Sequence, residues 1–298
     1  MHQSESAGKI VLLVAPKQPL WFEELQMCIH PISLQYICYL KTEDILRRGQ
    51  ILVLAVGGDG ILSACVNCLD KSMVHVTVYN VPLGTSNDFH FGSMNGAEFH
   101  LHSLANAILG EWNSVKVNVS LFSFPKTSAQ RTMINIGSMG ISSQIKPFKR
   151  LGRFGYIAAG LLEALKNPSF TARIQIDGEW KERKKTCILA ICNGKCFGGR
   201  IFIGGSMANP LCQERVTVVV AIVQFISLWR LIWLFVKLLM LPKVQCKEIE
   251  YHSTQNPIQI QSINQPMAVE IDGDVFGELP CTITPNYFTV KYLLVPRK

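Results

Sequence analysis

An α/β N-terminal domain on a parallel sheet, followed by a β-rich C-terminal domain of antiparallel, sandwich-like character, is the fold class this sequence predicts. Three observations carry it. The chain has 298 residues, enough for about two domains. Up to about residue 110, short apolar runs end in turns containing Gly or Pro, and helix-spaced stretches follow two of them. That alternation builds parallel α/β sheets. Beyond Glu111, strand-like segments dominate. The expected domains are 1–112 and 113–298, with the C-terminal tail able to return to the first.

The elements follow in order. Ile10 to Val14 is a short apolar run closed by Ala15-Pro16-Lys17, a buried strand and its turn. Ile51 to Val56 is a second strand and runs straight into Gly57-Gly58-Asp59-Gly60, after which Ile61 to Leu69 has helical spacing. Val74 to Val78 predicts a third strand, leading to Val81-Pro82-Leu83-Gly84-Thr85, and Leu101 to Leu109 is again helical. In the second half, 115–119, 173–176 and 258–260 alternate, whereas 186–191 and 216–223 are continuously apolar. A helix is expected over 154–165, opened by Gly152 and closed near Pro168. Residues 255–266 read as a loop with a short strand, and Asp272-Gly273-Asp274 as a turn after the strand-like Val269-Glu270-Ile271.

Hydrophobic residues make up 48% and charged residues 17%, the latter below the usual value of about 25%. This excludes a disordered or fibrous chain and a highly charged nucleic-acid arm, so no nucleic-acid partner is expected. The excess of 29 Lys+Arg over 21 Asp+Glu, net +8, suits an anionic small ligand or an anionic membrane surface. The start of the chain, Met1 to Ser6, lacks a basic stretch, and the apolar run over 10–15 is too short for a secretion signal. A reducing, cytoplasmic location follows as the expectation for the ten cysteines. Cys65 with Cys68, and Cys192 with Cys196, read as small core residues rather than zinc ligands.

Val216 to Leu241 is long enough to cross a bilayer. Its first half is β-branched, its second half is helix-like, and Arg230 and Lys237 make a spanning helix costly. A packed helix is the first reading and an interfacial helix the second, with Trp229 and Trp233 on one side in either case.

Gly57-Gly58-Asp59-Gly60 joins a buried strand to a helix. Glycines there bring backbone N–H groups close to phosphate oxygens, and the helix N-terminus adds a positive dipole end. Asp59 among those donors points to a metal, directly or through water. The Walker lysine is absent, which excludes that mechanism. Pro82-Leu83-Gly84-Thr85-Ser86-Asn87-Asp88-Phe89 follows the next strand, so both loops belong at one carboxyl edge of the sheet, where such folds bind ligands. Asp59 and Asp88 are then expected as neighbours with a cation between them.

These two motifs resemble the catalytic region of the diacylglycerol kinase superfamily, with the soluble bacterial-type (YegS-like) lipid kinases the nearest pattern. Weaker motifs follow in the same order: Asn135-Ile136-Gly137, Gly152-Arg153-x-x-Tyr156, Asn193-Gly194 with Phe197-Gly198-Gly199, and Ile271-Asp272-Gly273-Asp274 with Leu279-Pro280. The resemblance covers nearly the whole chain. It implies an NAD-kinase/diacylglycerol-kinase-like fold and an ATP- and Mg²⁺-dependent kinase of lipid metabolism. The γ-phosphoryl of ATP would pass to a hydroxyl of a diacylglycerol-like or sphingoid lipid at a membrane surface. It assigns nucleotide binding to Gly57, Gly58, Asp59, Gly60, Ile61, Leu62, Ser63, Ala64 and Thr85, with Thr42 as a further contact. It assigns the metal to Asp59 and Asp88, and catalysis to Asp274 as base with Asp272.

The sequence also departs from the family pattern. Ile61 replaces a threonine, Ala15-Pro16-Lys17-Gln18 replaces a polar first turn, and Asp274 replaces the longer glutamate. The stretch between Thr42 and Ile51 is short for the usual helix, Asn118 replaces an aspartate of the metal network, and Leu211-Cys212 replaces an Asp-Gly. Fewer carboxylates hold a divalent ion less well. The alternative function is therefore a catalytically weak or dead homologue that binds nucleotide or lipid. A nicotinamide-dinucleotide kinase shares Gly-Gly-Asp-Gly but not the Gly84 to Asp88 turn.

Overall fold

The computed structural model describes residues 9–45, 49–93, 98–144, 162–163, 165–166, 169–205, 208, 211, 217–225, 227–240 and 246–296. The Gly152-Arg153-x-x-Tyr156 motif, most of the helix expected over 154–165, and Cys212 lie outside the described residues.

The first part alternates strand and helix: β1 (Lys9–Val14), α1 (Phe22–Cys28), β2 (Ser33–Ile37), α2 (Thr42–Ile45), β3 (Gln50–Gly57), α3 (Asp59–Asn67) and β4 (Val76–Pro82). Two helices follow, α4 (Asp88–Ser93) and α5 (Leu101–Leu109). The strands β1 to β4 pair in parallel in the order β4-β3-β1-β2. Ile51 to Val56 of β3 are all buried, because helices and loops cover both faces of a parallel sheet. Each such Ile or Leu contributes about 1.5–3 kcal/mol of transfer free energy. The third strand begins later than its apolar pattern predicts. Val74 is exposed in a turn, and the Val76 N–H bonds the Met73 carbonyl at 3.1 Å. The short segment after Thr42 still forms one helical turn, α2.

The second part is antiparallel: β5 (Ser114–Phe124), β6 (Ala129–Met133), β7 (Ile136–Gly140), α6 (Ile141–Gln144), β8 (Phe170–Ile176), β9 (Glu179–Cys192), β10 (Val218–Gln224), α7 (Leu228–Met240), β11 (Ile249–Thr254), β12 (Ile258–Ser262), β13 (Ala268–Ile271), β14 (Asp274–Glu278) and β15 (Cys281–Leu293). The architecture is the one expected, a parallel α/β part and an antiparallel strand-rich part. The continuous apolarity of β10 has a simple origin. Val219, Ala221 and Val223 pack with Leu231, Leu234 and Leu238 of α7, whereas Val218, Val220 and Ile222 face a second core against Ile174, Ile258 and Ile260.

β15 joins the two parts. Its first residues pair with β12 and β5, and its last pair in parallel with β4, with a register shift between Thr284 and Phe288. Tyr292 of β15 is fully buried against Tyr79 and Phe89. The carboxyl edge of β3 and β4 is thereby held beside the antiparallel strands. The apolar stretch after Val216 resolves into β10 and α7, and no helix among the described residues is long and apolar enough to cross a membrane.

Candidate active site

Two glycine loops meet at the carboxyl edge of β3 and β4. Gly58 is the N-cap of α3 in an extended conformation. A Cβ placed on Gly84 would collide with the Cα and N of Gly58, so the loops touch backbone to backbone. Only glycine permits that approach. Gly60 has open space where a Cβ would stand and faces the cavity. Asn87 builds the second loop from within. It occupies the left-handed region (φ 49°), its Oδ1 accepts the Gly84 N–H at 2.9 Å, and its Nδ2 donates to the Pro82 and Gly84 carbonyls at 3.0 and 2.7 Å.

Asp59 locks the two loops together. Its Oδ2 accepts the Asp88 N–H at 2.8 Å and its Oδ1 the Phe89 N–H at 2.9 Å. The carboxylate thus caps the first turn of α4 from another segment. Asp88 looks the other way. Its Oδ1 accepts the Arg200 N–H at 2.7 Å and its Oδ2 the Gly199 N–H at 3.2 Å. Burial, reinforced by the neighbouring Asp59 charge, raises the Asp88 carboxyl above the ordinary aspartate value. Asp59 and Asp88 are therefore neighbours, as expected, and both already serve backbone donors.

The third wall comes from far along the chain. Asp272 and Gly273 both have positive φ, 48° and 94°, the signature of a two-residue type I′ turn closing the β13–β14 hairpin. The Asp272 carboxylate accepts the N–H groups of Ile134, Asn135 and Ile136 at 3.0, 2.9 and 3.1 Å. Burial pushes its carboxyl up to about 6, against the pull of those donors and of the Ser63 hydroxyl. Asp274 is different: half of its side chain is exposed (49%), and Arg131 approaches one oxygen at 3.4 Å. Arg131 also sits over the Phe276 ring.

Asp59, Asp88, Asp272 and Asp274 line one cavity of about 270 Å³, together with Gly60, Thr85 and Asn135. Glu270, which the sequence reading did not single out, is a fifth carboxylate there and is almost fully buried. Its one signal was a charge inside the otherwise apolar strand Ala268-Val269-Glu270-Ile271.

Other expected contacts are placed elsewhere. Leu62 and Ser63 are fully buried. Leu62 belongs to the first core and the Ser63 hydroxyl serves Asp272, so their side chains support the site rather than line it. Ile61 lies against Gly57, and Ala64 is exposed on α3 outside the cavity lining. Thr42 is also outside the lining; its hydroxyl donates to the Cys68 carbonyl at 3.4 Å. Asn118 gives its carbonyl to Asn193 Nδ2 at 3.2 Å, and Leu211 packs on the first core.

A cation is chemically apt in this lining. Five carboxylates line the cavity, and all are hard oxygen donors of the kind that hold a divalent cation. Among the described residues no three His, Cys, Asp or Glu side chains are gathered to hold an ion by themselves.

Residues 40–118 match the family model of the diacylglycerol kinase catalytic domain. That segment contains both glycine loops, and the superfamily resemblance carried by the motifs is borne out. Solved structures share the fold along the whole chain. A provisionally assigned diacylglycerol kinase from Bacillus anthracis str. Sterne superposes with a TM-score of 0.72 at 20% identity, covering 97% of this chain and 98% of that one. A diacylglycerol kinase from the same strain gives 0.69 at 18% identity, covering 97% of each chain. An NAD kinase from Archaeoglobus fulgidus, in complex with ATP, gives 0.56 at 10% identity, covering 96% of this chain and 94% of that one. No curated protein sequence matches the chain.

Proposed function

We propose that this chain, which carries a diacylglycerol kinase catalytic segment, is a lipid kinase that moves the γ-phosphoryl of ATP to a hydroxyl of a diacylglycerol-like or sphingoid lipid. One observation carries the reading. Two glycine loops from residues 57–88 and a hairpin turn at 272–274 converge on one cavity lined by carboxylates. Glycine loops at a helix start beside carboxylates suit the handling of phosphate groups. The backbone N–H groups at the start of α3, with the Thr85 hydroxyl, bind and orient the phosphates. Asp59 holds the two glycine loops together and Asp88 ties the second to Gly199 and Arg200; with Glu270 they form the carboxylate edge to which Mg²⁺ would bind. When bound with the nucleotide, Mg²⁺ supplies charge neutralisation at the phosphate oxygens.

Asp274 takes the proton from the attacking lipid hydroxyl. Among the aspartates at this turn it is the half-exposed one, whereas Asp272 is committed to three backbone N–H donors. Asp272 is thus a positioning residue: it fixes the turn from which Asp274 projects. Arg131 approaches one Asp274 oxygen at 3.4 Å, and a carboxylate at this place can accept the hydroxyl proton as the γ-phosphoryl moves.

The second reading, a homologue that binds without transfer, is favoured by Ile61, which brings an apolar side chain where the family has a hydroxyl. The two are separated by incubating the protein with ATP, Mg²⁺ and a panel of diacylglycerol, monoacylglycerol, ceramide and sphingosine. Labelled phospholipid lost in both Asp59→Ala and Asp274→Ala supports the kinase. A nucleotide-induced rise in melting temperature without product on any lipid supports the binding homologue. Transfer undiminished by both substitutions contradicts the site.

A further inference from the structure

We infer that the outer face of α7 is a docking surface for an anionic bilayer. The inference rests on the lipid-kinase reading and deepens it by naming the surface that meets the lipid-bearing membrane. Leu231, Leu234, Phe235 and Leu238 turn one face of the helix into the core beneath it. Trp229, Trp233, Val236 and Met240, at intervals of four, three and four, form the opposite stripe. That stripe is bare: Trp229 is 80%, Trp233 61% and Met240 73% exposed. A contiguous apolar and aromatic stripe on the outside of a helix marks an interaction surface. Two tryptophans on it fit the water–lipid boundary, where one end of the indole is apolar and the other wet.

The charges beside the stripe choose the partner. Arg230 is exposed on the helix, and Lys237 is on the same flank, shared with Glu248 at 2.8 Å. At the helix start the Phe225 N–H bonds the Lys185 carbonyl at 2.7 Å, which brings the exposed Lys184 and Lys185 to that end. Lys184 meets Glu182 only at 3.8 Å. An apolar stripe flanked by cations, on a chain of net charge +8, complements a bilayer containing acidic lipids.

The position also matters. Near the helix end, the Leu238 carbonyl accepts the Phe202 N–H at 3.1 Å. The Phe202 ring packs tilted against Phe91 of α4, and Arg200, two residues earlier, gives its N–H to Asp88 in the cleft. Phe197 and Gly198 of the same turn line the cavity. The helix that bears the docking face and the cleft are therefore joined by one short segment.

The test is sedimentation of the full chain with vesicles of phosphatidylcholine alone or with 30% phosphatidylglycerol, for wild type and for Trp229→Ser/Trp233→Ser. The expected results are binding to the acidic vesicles, weakening with added salt, a blue shift of Trp emission, and a loss of about tenfold or more in the double variant. Activity on micellar, short-chain dioctanoylglycerol should be unchanged in the variant while activity on vesicle-embedded lipid falls. Matching melting temperatures show that the variant is folded. Equal vesicle binding by variant and wild type overturns the inference, as does a dimer of the wild type that the variant abolishes, since a second copy then covers the stripe. If no phosphotransfer occurs on any lipid but the variant still loses vesicle binding, the kinase reading fails and the docking face stands.

Discussion

At the residue scale the distinction that matters is between carboxylates that hold the backbone and the one that faces solvent. Asp59, Asp88 and Asp272 each accept at least two backbone N–H groups, whereas Asp274 is half exposed beside Arg131. Asp274→Asn should lower kcat by about 10²-fold or more while leaving the ATP dissociation constant within about twofold. Steady-state kinetics with a nucleotide-binding titration checks this. Gly84→Ala forces a Cβ into Gly58 and should cost about 1–3 kcal/mol, read as a lower denaturation midpoint together with weaker ATP binding. A third residue lies away from the cleft. Glu250 accepts from Arg183 Nε at 2.7 Å and lies 2.6 Å from His252 Nε2, and the Arg183 contact, aided by His252, holds its carboxyl down at about 2. A folded-state value below the ordinary 4.5 means the stabilisation is present above that pH and is lost as pH falls toward 2. Because Glu250 is one-third exposed, Glu250→Gln should cost only about 1 kcal/mol at pH 7 and flatten the acid limb of a stability–pH curve.

At the scale of elements, the β13–β14 hairpin carries the coupling between distant parts of the chain. Asp272→Ala orphans three buried N–H groups on the β6–β7 connection and should destabilise by about 3–5 kcal/mol, a loss visible in urea unfolding. Its effect on kcat should then exceed its effect on ATP affinity, as expected of a positioning residue. The hairpin turn was legible in the sequence because Asp-Gly suits two positive φ values. So were β1, β3 and β10, whose continuous apolar runs are buried on both faces. β2 and β6 were not: Ser33-Leu34-Gln35-Tyr36-Ile37 and Ala129-Gln130-Arg131-Thr132-Met133 are half-exposed edge pairings with weak alternation. α1 was also missed, since a seven-residue helix offers too little periodicity to read. The glycine loops and Asp274 were legible from their motif. Glu270 was not, because its role depends on which strand lies across the sheet. Ser63 was placed with the phosphate loop by its position in the chain, while the turn of α3 points it at Asp272.

At the scale of the whole molecule, β15 makes the cleft possible by running from the antiparallel strands back to β4, so that residues 57–88 and 270–274 face one another. A ligand that bridges these segments should stabilise the fold globally. ATP with Mg²⁺ at a hundredfold excess over its dissociation constant should add about 2.7 kcal/mol, raising the melting temperature of wild type but not of Asp59→Ala. The claim that this shared cleft performs phosphotransfer is tested most directly by single-turnover transfer of label from [γ-³²P]ATP to dioctanoylglycerol and a short-chain sphingoid base. Wild type should label one of these lipids, and Asp274→Asn should bind ATP equally well yet lose transfer about 10²-fold or more. Label appearing at the wild-type rate in Asp274→Asn, or no labelled lipid from a wild-type protein that binds ATP, would contradict the account.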